Sequence, residues 1–111
     1  MKKKQRSTIS AGGLRPPPGI SRTRWFRLTR FQQAVYRVVW TIPRGETRSY
    51  QWVAAMIGSP RAVRAIGNAL HRNPFAPRIP CHRVVRADGG LGGFAGGIAK
   101  KRRLLTAEAK T

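Results

Sequence analysis

A chain of 111 residues has room for one domain with a modest hydrophobic core, which excludes a second catalytic domain. Its 23 Lys and Arg against three Asp and Glu give a formal net charge of +20, which favours a polyanion, and nucleic acid first, as the partner. A membrane surface is the weaker alternative, because no apolar run reaches spanning length and the most basic segment lacks the apolar periodicity of an interfacial helix.

The cysteine content also bounds the function. One cysteine, Cys81, cannot form an internal disulfide, and with two histidines it provides too few ligands for the usual structural zinc site. We therefore expect no metal and a reducing compartment, either cytoplasmic or nucleoid-associated.

The first part of the chain, residues 1–28, is predicted to be a mobile basic arm. Residues 1–30 contain nine Lys or Arg and no acid, and the stretch PPPG at 16–19 adds a short stiff piece. Trp25 and Phe26 either dock on the folded domain or lie loose near nucleic acid, and the sequence does not decide between these. The folded domain is predicted to cover residues 29–111.

Helical periodicity begins after the arm. Apolar residues at helical spacing, followed by Pro43 and Gly45, predict a core-facing helix over about 30–41. A second, shorter helix is predicted after Ser49, which suits an N-cap, and is expected to stop at Gly58.

A third helix is predicted to follow at once, with Ser59 as N-cap and Pro60 at the first helical position. Two short helices joined by a Gly-Ser turn are typical of a helix-turn-helix. An ordinary helical hairpin is the alternative, but the exposed side of the third helix is basic, which favours DNA contact. The basic or titratable residues on that side are Arg61, Arg64, His71 and Arg72.

The last third of the chain is more irregular. Prolines punctuate the stretch after Asn73, residues 83–87 predict a short strand, and residues 88–97 form a glycine-rich loop. Residues 98–110 have the apolar spacing of a closing helix. The expected fold is mainly α: a small, winged-helix-like helix-turn-helix domain with a short strand or hairpin.

Cys81 lies between Pro80 and His82 in the stretch RIPCHRVV, residues 78–85. A free thiol has a pKa of about 8.5, and its small thiolate fraction is a strong nucleophile. Side chains of neighbours in an extended chain point to opposite faces, so His82 could assist Cys81 only through a sharp turn after Pro80 or a bridging water. Among the three acids, Glu108 is the candidate to orient His82. On composition alone, a buried and inert thiol is the alternative.

The residues around this cysteine resemble those of a known family. IPCHRVV at 79–85 is similar to the active-site motif of the O6-alkylguanine-DNA alkyltransferases, GETRSYQWVAAMIGSPRAVRAIGNALHRNP at 45–74 resembles their helix-turn-helix, and GGFAGGIAKKRRLLTAE at 92–108 their closing segment. The resemblance, to the C-terminal DNA-binding and active-site domain, implies direct-reversal DNA repair. The Cys81 thiolate would take an alkyl group from guanine O6, or thymine O4, in duplex DNA and keep it, once per molecule and without a cofactor. A monomer is expected.

The resemblance also implies roles for single residues at the reaction centre. His82 corresponds to the base that deprotonates Cys81 through a water, and Glu108 to the carboxylate that orients this base. Tyr50 corresponds to a tyrosine whose hydroxyl donates toward the guanine ring. Asn73 corresponds to an asparagine that ties the recognition helix to the active-site loop, a role compatible with its alternative as a helix C-terminal cap.

Other positions are implied to bind DNA and the flipped base. Arg64 corresponds to the arginine that takes the place of the extruded nucleotide, and a simple phosphate contact is its alternative. The family places the recognition helix in the minor groove. The further DNA contacts implied are those of Tyr50, Gln51, Ser59 and Ala87. The implied substrate pocket is formed by Cys81, Val84, Phe94 and Ala95, with the last two standing where a Tyr-Ser pair is frequent in the family.

Two other functions stay open. The first is a non-enzymatic, alkyltransferase-like protein that binds lesions and recruits excision-repair proteins; relatives of that kind lack the cysteine, whereas this chain has Cys81. The second is a general packaging protein for nucleic acid, which predicts steep salt dependence and no preference for damaged DNA.

Overall fold

The computed structural model describes residues 14–87 and 98–109. The predicted mainly helical fold with a short strand is confirmed. Within the described ranges, no helix has the length and apolar character needed to cross a membrane. In chain order the elements are α1 (Arg22–Trp25), α2 (Arg30–Trp40), β1 (Arg48–Ser49), α3 (Tyr50–Met56), α4 (Val63–His71), a 3₁₀ turn (Cys81–Arg83), β2 (Val84–Val85) and α5 (Ile98–Ala109).

The central helix α2 occupies the predicted range. It begins with a capping box, in which the Thr29 hydroxyl accepts from the Gln32 amide and the Gln32 side chain accepts from the Thr29 amide. Its apolar face is buried against α3 and α4, and the Tyr36 hydroxyl donates to the carbonyl of Ala69 in α4. This helix is therefore the support on which the helix-turn-helix packs.

The turn between α3 and α4 is made by glycine. Ser49 caps α3 as predicted, and the amides of Gly58 and Ser59 donate to the carbonyls of Ala55 and Ala54. With Gly58 at φ +76°, this is a Schellman motif.

The predicted start of the next helix is wrong by one turn. The Ser59 carbonyl accepts from the Ala62 amide, so Ser59 and Pro60 form a tight turn with proline at its second position. The side chain of Ser59 does not cap a helix, and α4 begins at Val63.

The two short strands pair in parallel, with Arg48 opposite Val84 and Ser49 opposite Val85. The short strand predicted within residues 83–87 is therefore present, but it pairs with a distant segment and does not form a hairpin with its neighbour. The pairing sets the first residue of α3, Tyr50, beside the turn that contains Cys81. The predicted glycine-rich loop over residues 88–97 lies outside the described residues.

Residues 14–28 differ from the predicted mobile arm. Trp25 is fully buried, and its indole N–H donates to the Leu14 carbonyl over 2.7 Å. The buried amide of Gln33 in α2 bonds both the Leu14 amide and the Trp25 carbonyl. Burying the large indole outweighs the tendency of a basic, proline-rich segment to stay extended in solvent. Phe26 is 48% exposed, and residues 1–13 lie outside the described residues.

Replacing two glycines by alanine should change the free energy of unfolding in opposite directions. Gly58 has a positive φ, so Gly58→Ala should lower the free energy of unfolding by about 1 kcal/mol through backbone strain. Gly67 lies inside α4 with open space at its Cβ position, so Gly67→Ala should raise it by about 0.5–1 kcal/mol. Urea unfolding of the two variants checks the signs, and equal shifts would contradict the assigned turn.

Candidate active site

The turn after Pro80 carries the central chemical groups. Residues Cys81–Arg83 form a single 3₁₀ turn, which the Arg83 amide closes by donating to the Pro80 carbonyl over 2.9 Å. Cys81 and His82 are both buried, at 5% and 2% exposure. The sharp turn that a Cys-His pair requires is therefore built into the backbone.

The carboxylate of Glu108 joins α5 to this turn. It accepts two hydrogen bonds from Arg83, of 2.9 Å from Nε and 2.7 Å from Nη2, and its Oε2 lies 2.9 Å from His82 Nε2. The hydrogen bonds from Arg83, ahead of that from His82, lower the pKa of Glu108 to about 2. The ionised carboxylate therefore stabilises the fold above its ordinary pKa of 4.5, and this stabilisation is lost as the pH falls through about 2.

The tautomer of His82 follows from this geometry. Because Glu108 is ionised, it can only accept, so His82 Nε2 carries a proton and donates it. Burial lowers the pKa of His82, and this effect outweighs that of Glu108, which raises it. The lowered pKa favours a neutral ring. In that state Nδ1 has a lone pair and can accept a proton, as a general base must.

Two groups counteract the effect of burial on the pKa of Cys81. Burial raises the pKa of the Cys81 thiol, whereas a hydrogen bond from Asn73 and the charge of Lys101 lower it. Asn73 is itself fixed, since its Nδ2 donates to the Ile79 carbonyl over 2.8 Å and its Oδ1 accepts from the Phe75 amide over 2.9 Å. The asparagine thus links the segment after α4 to the residues before Cys81.

Lys101 is a fully buried lysine on α5. Its Nζ donates to the Val84 carbonyl over 2.7 Å and lies 5.8 Å from the centre of the Tyr50 ring. Burial lowers the pKa of Lys101 to about 8. Since that value is above neutral pH, Lys101 contributes a positive charge near Cys81 and Tyr50, where it favours thiolate.

Tyr50 also lines two clefts on the helix-turn-helix side. A cleft of about 940 Å³ brings it together with Arg64, His71 and Arg86, and a smaller one of about 270 Å³ includes Gln51 and Ala87. Burial raises the pKa of Tyr50 above its ordinary value of 10.0, which keeps its hydroxyl protonated well beyond neutral pH. Both clefts are bordered by cationic side chains, which suits an anionic ligand such as DNA.

Of the remaining predicted site residues, Val84 directly follows the Cys81–Arg83 turn, Ser59 lies in another turn, and two fall outside the described ranges. Ser59 is half-buried in the turn between α3 and α4, and Val84 is buried in β2. Phe94 and Ala95 fall outside the described residues. Among residues 14–87 and 98–109, no three His, Cys, Asp or Glu side chains are grouped to hold a metal ion.

A comparison with protein-family models shows to which family the chain belongs. The family model described as 6-O-methylguanine DNA methyltransferase, DNA binding domain, matches residues 30–110. The chain belongs to the 6-O-methylguanine DNA methyltransferase family. The resemblance recognised in the sequence is thereby confirmed.

Individual members of this methyltransferase family match the same part of the chain. The methylated-DNA–protein-cysteine methyltransferase of Mycobacterium bovis is 54% identical over 82 residues, covering 74% of this chain and 50% of its own length. The chain therefore spans about half the length of that curated relative.

Solved structures agree with the family assignment. Mycobacterium tuberculosis OGT in complex with DNA is similar at a TM-score of 0.74 and 52% identity, over 76% of this chain and 52% of that one. S. pombe Atl1, solved in complex with damaged DNA containing O6-carboxymethylguanine, is similar at a TM-score of 0.66 and 27% identity, over 74% and 78% of the two chains.

Two residues of this methyltransferase-family site were not assigned from the sequence. Arg83, which holds Glu108, follows the Cys-His pair directly, and its contact with α5 has no local signal. Lys101 stands in a run of four basic residues, KKRR, that reads as a solvated surface. Its spacing of seven from Glu108 places both on one face of α5, and this signal could have identified it.

Replacing Lys101 should change the pH dependence of Cys81. Lys101→Met removes a charge that lowers the pKa of the thiol, so the pKa should rise and reaction with iodoacetamide at pH 7 should slow by about 3-fold or more. The difference should shrink above about pH 8, where Lys101 loses its own charge. Labelling is unambiguous because Cys81 is the only cysteine. Lys100→Met, an exposed change on the same helix, is the control, and coinciding profiles for the two variants would contradict the role of Lys101.

Proposed function

We propose that this chain repairs O6-alkylguanine in duplex DNA by transferring the alkyl group to Cys81. The Cys81 sulfur forms a bond to the alkyl carbon, the bond from that carbon to guanine O6 breaks, and the electron pair stays on the base. The reaction balances without a cofactor, and the thioether that forms has no route back to thiol, so each molecule acts once. Membership of the family, together with a buried Cys-His-Glu arrangement, carries this proposal.

The first step is deprotonation of the thiol. Burial raises the pKa of Cys81, so the resting group is mostly protonated and needs a base. The neutral His82, with its Nε2–H held by Glu108, has Nδ1 available to take the proton through a water. Asn73 and Lys101 then favour the thiolate that attacks.

The second step leaves negative charge on the guanine. The ordinary pKa of tyrosine, 10.0, already keeps the Tyr50 hydroxyl protonated, and burial raises it further, so the hydroxyl can donate to the departing base. Lys101 lies over the Tyr50 ring and adds positive charge at the same place. Stabilising the leaving group in this way lowers the barrier for transfer.

Reaching a base inside a duplex requires its extrusion. Arg64 is exposed and lines the larger cleft together with Tyr50, and a planar guanidinium can stack where the base has left. The net charge of +20 provides affinity for the phosphates without selecting a sequence, as a protein that seeks damage requires.

A non-enzymatic lesion-binding protein is the second candidate. The similarity to S. pombe Atl1 covers most of both chains, which favours lesion binding as such. Cys81 favours transfer in addition, because the next residue, His82, is held by Glu108 as a base and a protein that only binds needs neither group.

Intact-mass analysis tests the transfer. Incubation with an equimolar duplex containing O6-methylguanine should add one methyl group to the protein, located on Cys81, and an excess of DNA should add no second one. Cys81→Ala should bind the same duplex and gain no mass. An unmodified protein after full incubation would instead support the lesion-binding function.

Comparing two substrates tests the role of Arg64. Arg64→Ala should slow the reaction with alkylated duplex by about 10- to 100-fold, because the free energy of extrusion is no longer offset. Reaction with free O6-benzylguanine should be nearly unchanged, since the free base needs no extrusion. Arg61→Ala, which removes an equal charge outside the clefts' described linings, is the control. Equal losses on both substrates would exclude Arg64 as the extruding residue.

A further inference from the structure

Residues 14–28, the N-terminal segment, precede the part of the chain that the family model matches. They pack on residues 73–80, which lead into Cys81 and which we call the active-site loop. The segment is anchored to α2 through buried Trp25 and Gln33, so it forms a fixed surface for the loop. The contacts between segment and loop occur at both ends of the loop.

The first contact is made by Arg24 in α1. Its guanidinium donates to the Pro74 carbonyl over 3.2 Å and lies 5.0 Å from the centre of the Phe75 ring. Trp25 packs beside the same ring at a centroid distance of 6.3 Å. Phe75 is thus held from two sides by the segment, and a cationic face-on contact of this kind adds to the attraction.

The second contact lies near the other end of the loop. Gly19 has a φ of +83°, and a Cβ built on it would lie 2.6 Å from Nη1 of Arg78. The guanidinium of Arg78 therefore packs against the backbone of the segment at Gly19. The positive φ favours glycine here, and a larger side chain would displace the Arg78 guanidinium.

Hydrogen bonds lead from Phe75 to the nucleophile. The Phe75 amide donates to Asn73 Oδ1, and its carbonyl accepts from the Ile79 amide over 3.1 Å. The Ile79 carbonyl accepts from both Asn73 Nδ2 and the Cys81 amide, each over 2.8 Å. Asn73 is also close enough to Cys81 to lower the pKa of its thiol. A shift of Phe75 would therefore change how Asn73 meets the sulfur.

We propose that the N-terminal segment is part of the active site and that Arg24 is a positioning residue for Cys81. By holding Pro74 and Phe75, Arg24 keeps Asn73 oriented to support the thiolate. The consequence for DNA repair rests on the proposed function, but the consequence for thiol reactivity does not.

The test compares two arginines of α1 in the full chain. Arg24→Met removes the contacts with the loop. Arg22→Met removes an equal charge from the same helix, where Arg22 is exposed and lies 5.4 Å from the centre of the Phe26 ring, away from the loop. The readouts are the pH profile of Cys81 alkylation by iodoacetamide, the rate of transfer from an O6-benzylguanine oligonucleotide, and the melting temperature.

Arg24→Met should shift the thiol profile to higher pH and slow alkylation at pH 7 by about 3-fold, whereas Arg22→Met should match the parent. Arg24→Lys, which can still donate to Pro74 and approach Phe75, should recover part of the rate. Coinciding profiles for the two Met variants, or a change in melting temperature alone, would overturn the proposal. If the parent transfers no alkyl group but the thiol profiles still separate, the proposed function fails and the positioning role stands.

Discussion

The buried carboxylate of Glu108 is the interaction on which the rest of the site depends. An ionised group inside a small domain is costly unless it is paired and hydrogen-bonded, and here Arg83 and His82 provide both. Arg83 also donates to the Ile42 carbonyl just beyond α2, so one cluster ties α5, the Cys-His turn and the central helix together. The active-site turn can be complete only when the closing helix has docked.

The same burial that organises the site works against its chemistry. Excluding water raises the pKa of Cys81 and lowers that of His82, so both groups are favoured in their neutral forms. The thiol is therefore held ready and is not permanently ionised, and Asn73 and Lys101 lower the free energy of the thiolate once it forms. A protonated thiol is also less readily oxidised than a thiolate.

Charge is distributed so that binding and chemistry are separated. Two of the three acids are described: Glu108 is buried in the site, and Glu46 pairs with Arg48 on the surface, where such a pair contributes little. Most of the net charge of +20 is thus not neutralised by acids, which suits a polyanionic partner such as DNA. Under the proposed function, selection for damage would come from the clefts around Tyr50, where shape and hydrogen bonding can act on a single base.

The sequence by itself determined what depends on local pattern and motif. Helical spacing and capping located α2 and α3, and the IPCHRVV motif identified the family and pointed to Cys81 as the proposed nucleophile. Only the tertiary structure decided what depends on distant partners. Four contacts join residues that are far apart in the chain. They are the parallel pairing of β1 with β2, the burial of Lys101 from a basic run, the hydrogen bonds from Arg83 to Glu108 and the docking of Trp25. A basic residue has the same local pattern whether it faces water or a buried carbonyl, so its role is set by what packs against it.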